Sequence, residues 1–92
     1  MILLLVVIES TGIFRTRTQL VDHLNAGSKR VVLTVPSKDE IDYTLVIGVN
    51  DNGLNKNHRI ISNASCTTNC LAPIAKILND EYRIEYLSLI HI

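Results

Sequence analysis

Three apolar runs, each closed by turn chemistry, constrain the fold more than anything else in the chain: Leu3–Ile8, Val31–Val35 and Tyr43–Val49. Runs without regular polar interruption suit strands covered on both faces, the situation of a parallel sheet. Between the first two, Thr16 can cap a helix from about Arg17 to Asn25, with Leu20, Val21 and Leu24 on its inner face and Gly27 as its left-handed stop. Strand, helix, strand is a βαβ unit with a right-handed crossover. Ser10-Thr11-Gly12 turns the chain after the first strand, Pro36 closes the second, and Asn50-Asp51-Asn52-Gly53 ends the third. Arg59–Ser62 reads as a short fourth strand. A long helix is expected from Cys66 to about Asp80, with Pro73 deleting one backbone bond and kinking or loosening it near Asn69. The fold class is therefore α/β, an open parallel sheet of a βαβ unit plus further strands, followed by a helix.

At 92 residues the chain fits at most one small domain. Nine basic and nine acidic residues leave no net charge, so neither nucleic acid nor an anionic membrane is an expected partner. Two cysteines, Cys66 and Cys70, make no secreted disulfide framework and fit a reducing cytoplasm. Met1–Ile8 has no basic start and no small-residue cleavage site, and it is too short to span a bilayer; it reads as a strand, not a leader. No repeat, heptad or low-complexity segment is present. The glycines stand scattered at 12, 27, 48 and 53, without a G-x-G-x-x-G fingerprint.

The chemistry concentrates in Ser62-Asn63-Ala64-Ser65-Cys66-Thr67-Thr68-Asn69-Cys70-Leu71-Ala72-Pro73. An apolar run leads in, and Leu71, Ile74, Ala75 and Leu78 lead out at helical spacing. Ser65 is the expected N-cap, which puts Cys66 at the first helical position. Unpaired N–H groups and the positive helix end there favour a thiolate and an oxyanion, so Cys66 is the candidate nucleophile. Ser65 and Thr67 flank it with hydroxyls at a helix end suited to phosphate. Cys70 lies one turn on, on the same face; a structural or oxidation-protective role is favoured over metal binding, for which no third or fourth ligand stands close in sequence, and a redox pair is the functional alternative. Thr11-Gly12 and Thr34 end strands expected side by side, at the edge where open α/β sheets take ligands. Arg15, Arg17, Lys29 and Arg30, and Asp39, Glu40 and Asp42, read as solvated surface and loop charge. Asn50 is ambiguous between strand end and turn residue.

The dodecapeptide closely resembles the active-site segment of the phosphorylating, NAD-dependent glyceraldehyde-3-phosphate dehydrogenases. Glu9-Ser10-Thr11-Gly12, Thr34-Val35-Pro36-Ser37 and Ile47-Gly48-Val49-Asn50 extend the resemblance over about Val6 to Glu85. Erythrose-4-phosphate dehydrogenase, a sister enzyme, shares Ser65 to Cys70 but is less similar at Leu71-Ala72-Pro73. The resemblance implies a partial Rossmann-like sheet over residues 1–65, the C-terminal part of an NAD-binding domain. Residues 66–86 then begin the catalytic domain with its first helix. It implies that Cys66 attacks the aldehyde of glyceraldehyde 3-phosphate, that Ser65 and Thr67 bind substrate or inorganic phosphate, and that Ser10, Thr11, Gly12 and Thr34 lie along NAD. It also implies a homotetrameric parent. Leu87–Ile92 depart from the family and match the translation of a transposon mosaic end, so residues 87–92 are expected to be an adapter-derived tail. The fingerprint glycines, the ribose-binding acid, the catalytic histidine and the phosphate-binding arginine of the family have no counterpart here. The isolated chain is therefore expected to be an inactive piece of such an enzyme.

Overall fold

The computed structural model describes residues 5–89. The elements run β1 (Val6–Glu9), α1 (Arg17–Asn25), β2 (Arg30–Leu33), β3 (Tyr43–Thr44), β4 (Ile60–Ser62) and α2 (Cys66–Tyr82), with a single 3-10 turn at Asp51–Gly53 before β4. The fold is α/β. All strand pairings are parallel, in the order β1-β2-β4-β3. The strand expected from Leu3 is observed from Val6; Leu3 and Leu4 lie outside the described residues, as do residues 90–92 of the expected tail.

The signals that bound α1 are local and act as read. Thr16 Oγ1 accepts the Gln19 N–H at 3.4 Å, and Gln19 Oε1 accepts the Thr16 N–H at 3.2 Å, closing a reciprocal capping box. At the other end Gly27 takes φ 117°, and its N–H reaches the Leu24 carbonyl at 3.1 Å. Leu20 of α1 is buried against Val31 and Leu33 of β2 and Ile60 of β4. Val21, Leu24, Val35 and Ile41 pack around that cluster, which is the core of the molecule. Each such aliphatic side chain taken out of water contributes about 1.5–3 kcal/mol.

Two strand expectations change. β1 is an edge strand covered on one face: Glu9 points inward while Val6 and Ile8 stand exposed, Ile8 at 66%. Its apolar run therefore does not mark burial on both faces. β3 covers Tyr43–Thr44 rather than Tyr43–Val49. Asn50 cuts it short: its Oδ1 accepts the Val46 N–H at 2.7 Å and its Nδ2 donates to the Thr44 carbonyl at 2.8 Å. Those groups no longer need a ladder partner, so the chain turns, with Gly48 at φ 85° and its N–H on Asp51 Oδ1 at 2.9 Å. Asn50 is thus a turn residue.

The charges of the 36–42 segment do more than coat a surface. Asp39 Oδ1 accepts the Arg17 N–H at 2.8 Å, at the start of α1. Arg15 donates from Nε and from its guanidinium NH2 to the Pro36 carbonyl, at 3.0 and 2.9 Å. Asp42 pairs with Arg17 at 2.9 Å and takes the N–H groups of Arg59 and Ile60 on its other oxygen. Burial pushes the Asp42 carboxyl up, but those two N–H groups and Arg17 together hold it below its ordinary value. Arg15, Arg17, Asp39 and Asp42, expected as solvated charges, instead stitch the β2–β3 connection to α1 and β4.

Candidate active site

β4 is buried along its whole length and delivers the chain to the carboxyl edge of the sheet. Ser62, fully buried, donates from Oγ to the Val35 carbonyl at 2.7 Å and accepts the Ala64 N–H at 3.0 Å. Ala64 then takes φ 59°, a left-handed conformation that costs a non-glycine residue about 1–2 kcal/mol. This sharp corner re-aims the backbone so that α2 starts at the edge. Ser65 caps α2 as expected: its Oγ accepts the Thr68 N–H at 2.9 Å and shares a hydrogen bond with Thr68 Oγ1 at 2.8 Å.

Cys66 is the first residue of α2 and is exposed. Thr68 N–H goes to Ser65 Oγ and Asn69 N–H to the Ser65 carbonyl at 2.9 Å. The N–H groups of Cys66 and Thr67, beside the thiol, have no partner among the described residues, as expected for the first donors of a helix. Thr67 is exposed, and its hydroxyl makes no hydrogen bond among the described residues. A thiol, a free hydroxyl and two unpaired N–H donors therefore share one solvent-facing helix end. Such a group can attack a carbonyl and hold the oxyanion that results. Cys70, one turn further, is also exposed and is a free thiol. Asn69 braces the corner by donating from Nδ2 to the carbonyls of Asn63 and Ser65, both at 2.8 Å.

An open cavity of about 340 Å³ adjoins the cap, between Ser65 and Thr68 on one side and Asp39 and Glu40 on the other. Two carboxylates in its wall make it a poor phosphate site. The anion-compatible face is instead that of Cys66 and Thr67. α2 continues through Pro73 to Tyr82 without a break in its helical assignment, and none of its side chains is buried. Among the described residues no three His, Cys, Asp or Glu side chains converge as a metal site.

The second group of predicted residues lies along the same edge. β1 and β2 are parallel neighbours, so the turn after Glu9 and Thr34 after Leu33 emerge side by side. Ser10, Thr11, Gly12 and Thr34 are all exposed. Gly12 takes φ 78°, and nothing stands within 4 Å of the position a Cβ would occupy, so a ligand can approach the backbone. Among the described residues no hydrogen bond joins this group to the Cys66 group, which sits at the end of β4, on the side of β2 away from β1. Gly12 leaves the backbone open to a ligand, while the Thr11 hydroxyl is engaged by Glu9 and the Ile13 N–H, and the Thr34 hydroxyl by the Glu9 carbonyl.

Glu9 escaped sequence reasoning. It is 3% exposed, and its oxygens divide between His23 Nε2 at 2.7 Å and Thr11, whose N–H and Oγ1 approach at 3.1 and 2.7 Å. The bond from His23 first, then those from the Thr11 hydroxyl and N–H, hold the Glu9 carboxyl below its ordinary value against a smaller opposing effect of burial. Its signals in the sequence were an acid ending an apolar run and its place at the head of Glu9-Ser10-Thr11-Gly12, neither of which points to His23.

Residues 65–92 match the family model described as glyceraldehyde 3-phosphate dehydrogenase, C-terminal domain. The chain is 56% identical over 85 residues to a glyceraldehyde-3-phosphate dehydrogenase of Borreliella burgdorferi, covering 87% of the chain and 25% of that protein. It is 56% identical over 79 residues to one of Mycolicibacterium smegmatis, covering 86% of the chain and 23% of that protein. Glyceraldehyde-3-phosphate dehydrogenase 2 of Trichormus variabilis is 58% identical over 79 residues, covering 85% of the chain and 23% of that protein. The chain thus spans about a quarter of the length of the curated relatives it matches.

Proposed function

We propose, for a chain that belongs to the glyceraldehyde-3-phosphate dehydrogenase family, that it carries the nucleophile and part of the cofactor edge of an NAD-dependent, phosphorylating enzyme of glycolysis. The observation that carries this reading is Cys66, exposed at the first position of α2 among unpaired N–H donors. The Cys66 thiolate adds to the aldehyde carbon of glyceraldehyde 3-phosphate, and the N–H groups of Cys66 and Thr67 receive the oxyanion of the resulting hemithioacetal. Ser10, Thr11, Gly12 and Thr34 would hold NAD, which when bound would supply the acceptor for the hydride lost as the Cys66 adduct becomes a thioester. Inorganic phosphate, near Ser65 and Thr67, displaces the Cys66 sulfur and releases 1,3-bisphosphoglycerate.

Residues 1–65 belong to the C-terminal part of the NAD-binding domain, and the chain from Cys66 opens the catalytic domain. The parent is a cytoplasmic homotetramer. The chain alone is inactive because, among the described residues, no histidine stands free to serve Cys66. His23 is bonded to Glu9, and His58 stacks on Tyr43 with ring centroids 4.7 Å apart. The test is NADH formation by the purified chain, given the aldehyde, NAD and phosphate, together with mass-mapped alkylation of its thiols. No NADH, with Cys66 alkylated faster than Cys70, is expected. Turnover overturns the inactivity, and equal thiol rates remove the case for Cys66 as nucleophile. A redox reading rests on both thiols being exposed one turn apart; a reversible Cys66–Cys70 disulfide under mild oxidation would favour it.

A further inference from the structure

Glu9 joins two segments that strand order alone merely sets side by side. Its carboxylate holds the turn through Thr11, whose Oγ1 in turn accepts the Ile13 N–H at 3.1 Å. Its main-chain carbonyl holds the end of β2, accepting the Thr34 N–H at 3.2 Å and the Thr34 hydroxyl at 3.4 Å. His23 anchors the same carboxylate to α1, and the Ser28 hydroxyl fixes that helix end by donating to the His23 carbonyl at 2.9 Å. One hydrogen-bonded path therefore runs from α1 through Glu9 to both Thr11 and Thr34.

The core does not need this acid. Leu20, Val31, Leu33 and Ile60 close on one another without Glu9, and an apolar residue at position 9 would avoid the desolvation that a carboxylate brings. What only the carboxylate supplies is an acceptor that takes both Thr11 donors on one oxygen while the other faces His23. We propose that the Glu9 carboxylate is a positioning group that locks the Ser10–Ile13 turn, beside the Thr34 end of β2, into one geometry for the dinucleotide, with His23 as its prop; Thr34 itself is held by the Glu9 main-chain carbonyl. This rests on the reading of that edge as the cofactor edge.

The test compares amide spectra and hydrogen exchange of the intact chain with those of E9M, E9Q, T11V and T11S. Methionine keeps the volume and removes the acceptor, whereas glutamine can still turn its carbonyl to Thr11 and its amide to the imidazole. In E9M the Thr11 and Ile13 signals are expected to move together and the Thr11 N–H to exchange about tenfold faster, with Val31, Leu33 and the main-chain-bonded Thr34 unchanged. E9Q and T11S restore the parent pattern, and T11V reproduces E9M at Thr11 and Ile13. NAD added to the parent chain shifts the signals of residues 10–12 and 34, and E9M weakens that response. The proposal is overturned if Thr11 and Ile13 ignore E9M, if E9Q behaves as E9M does, or if the core signals move equally. A parent chain whose edge signals ignore NAD while the Glu9 coupling holds overturns the cofactor reading instead.

Discussion

Ser65 and Glu9 are single residues on which the local geometry of the two groups depends. Ser65→Ala removes the acceptor for the Thr68 N–H and the partner of its hydroxyl. It is expected to cost about 1 kcal/mol in urea unfolding and to slow alkylation at Cys66, because the helix start that gathers the free N–H groups frays. Glu9 and Asp42 both have folded pKa values below their ordinary 4.5 and 3.8. Their contributions are complete above those ordinary values and are lost as pH falls through the lower folded ones. Stability followed by circular dichroism is therefore expected to be level near neutral pH and to decline below about pH 4.5, the ordinary glutamate value. Asp42→Asn flattens that decline. Ser65 was legible because a cap acts on residues three along the chain. Glu9 was not, since His23 stands 14 residues away and Thr34 25.

The elements divide by how local their causes are. α1 occupies the predicted residues, Arg17–Asn25, because its capping box and its glycine stop lie within its own sequence. β3 is shorter than its apolar run because a side chain beyond its end, Asn50, satisfies the backbone first. α2 has a sound cap but no buried side chain, and Pro73 cannot donate to the Asn69 carbonyl. A helix of that length without a packed face is marginal. Hydrogen exchange is expected to find α1 protected and the turns after Pro73 nearly unprotected. Pro73→Ala, relieving about 3 kcal/mol of helix cost, should raise both protection in α2 and the helical signal of the chain.

Across the whole molecule, apolar surface is unevenly hidden. α1 covers one face of the sheet, while Val6 and Ile8 of β1 and Ile74, Ile77 and Leu78 of α2 remain exposed. An unpaired, apolar edge strand invites association. Sedimentation is expected to show concentration-dependent aggregation that Ile8→Lys reduces without altering thermal unfolding, since Ile8 is outside the core cluster. By itself the sequence determined the α/β class, the bounds of α1, the cap at Ser65 and the placing of Cys66 at a helix start. Each depends on chemistry within a few residues of chain. Only the tertiary structure decided that β4 inserts between β2 and β3, that β1 is half bare, and that Glu9 ties Thr11 to Thr34. Those outcomes depend on which distant groups meet, and backbone propensity carries no record of that.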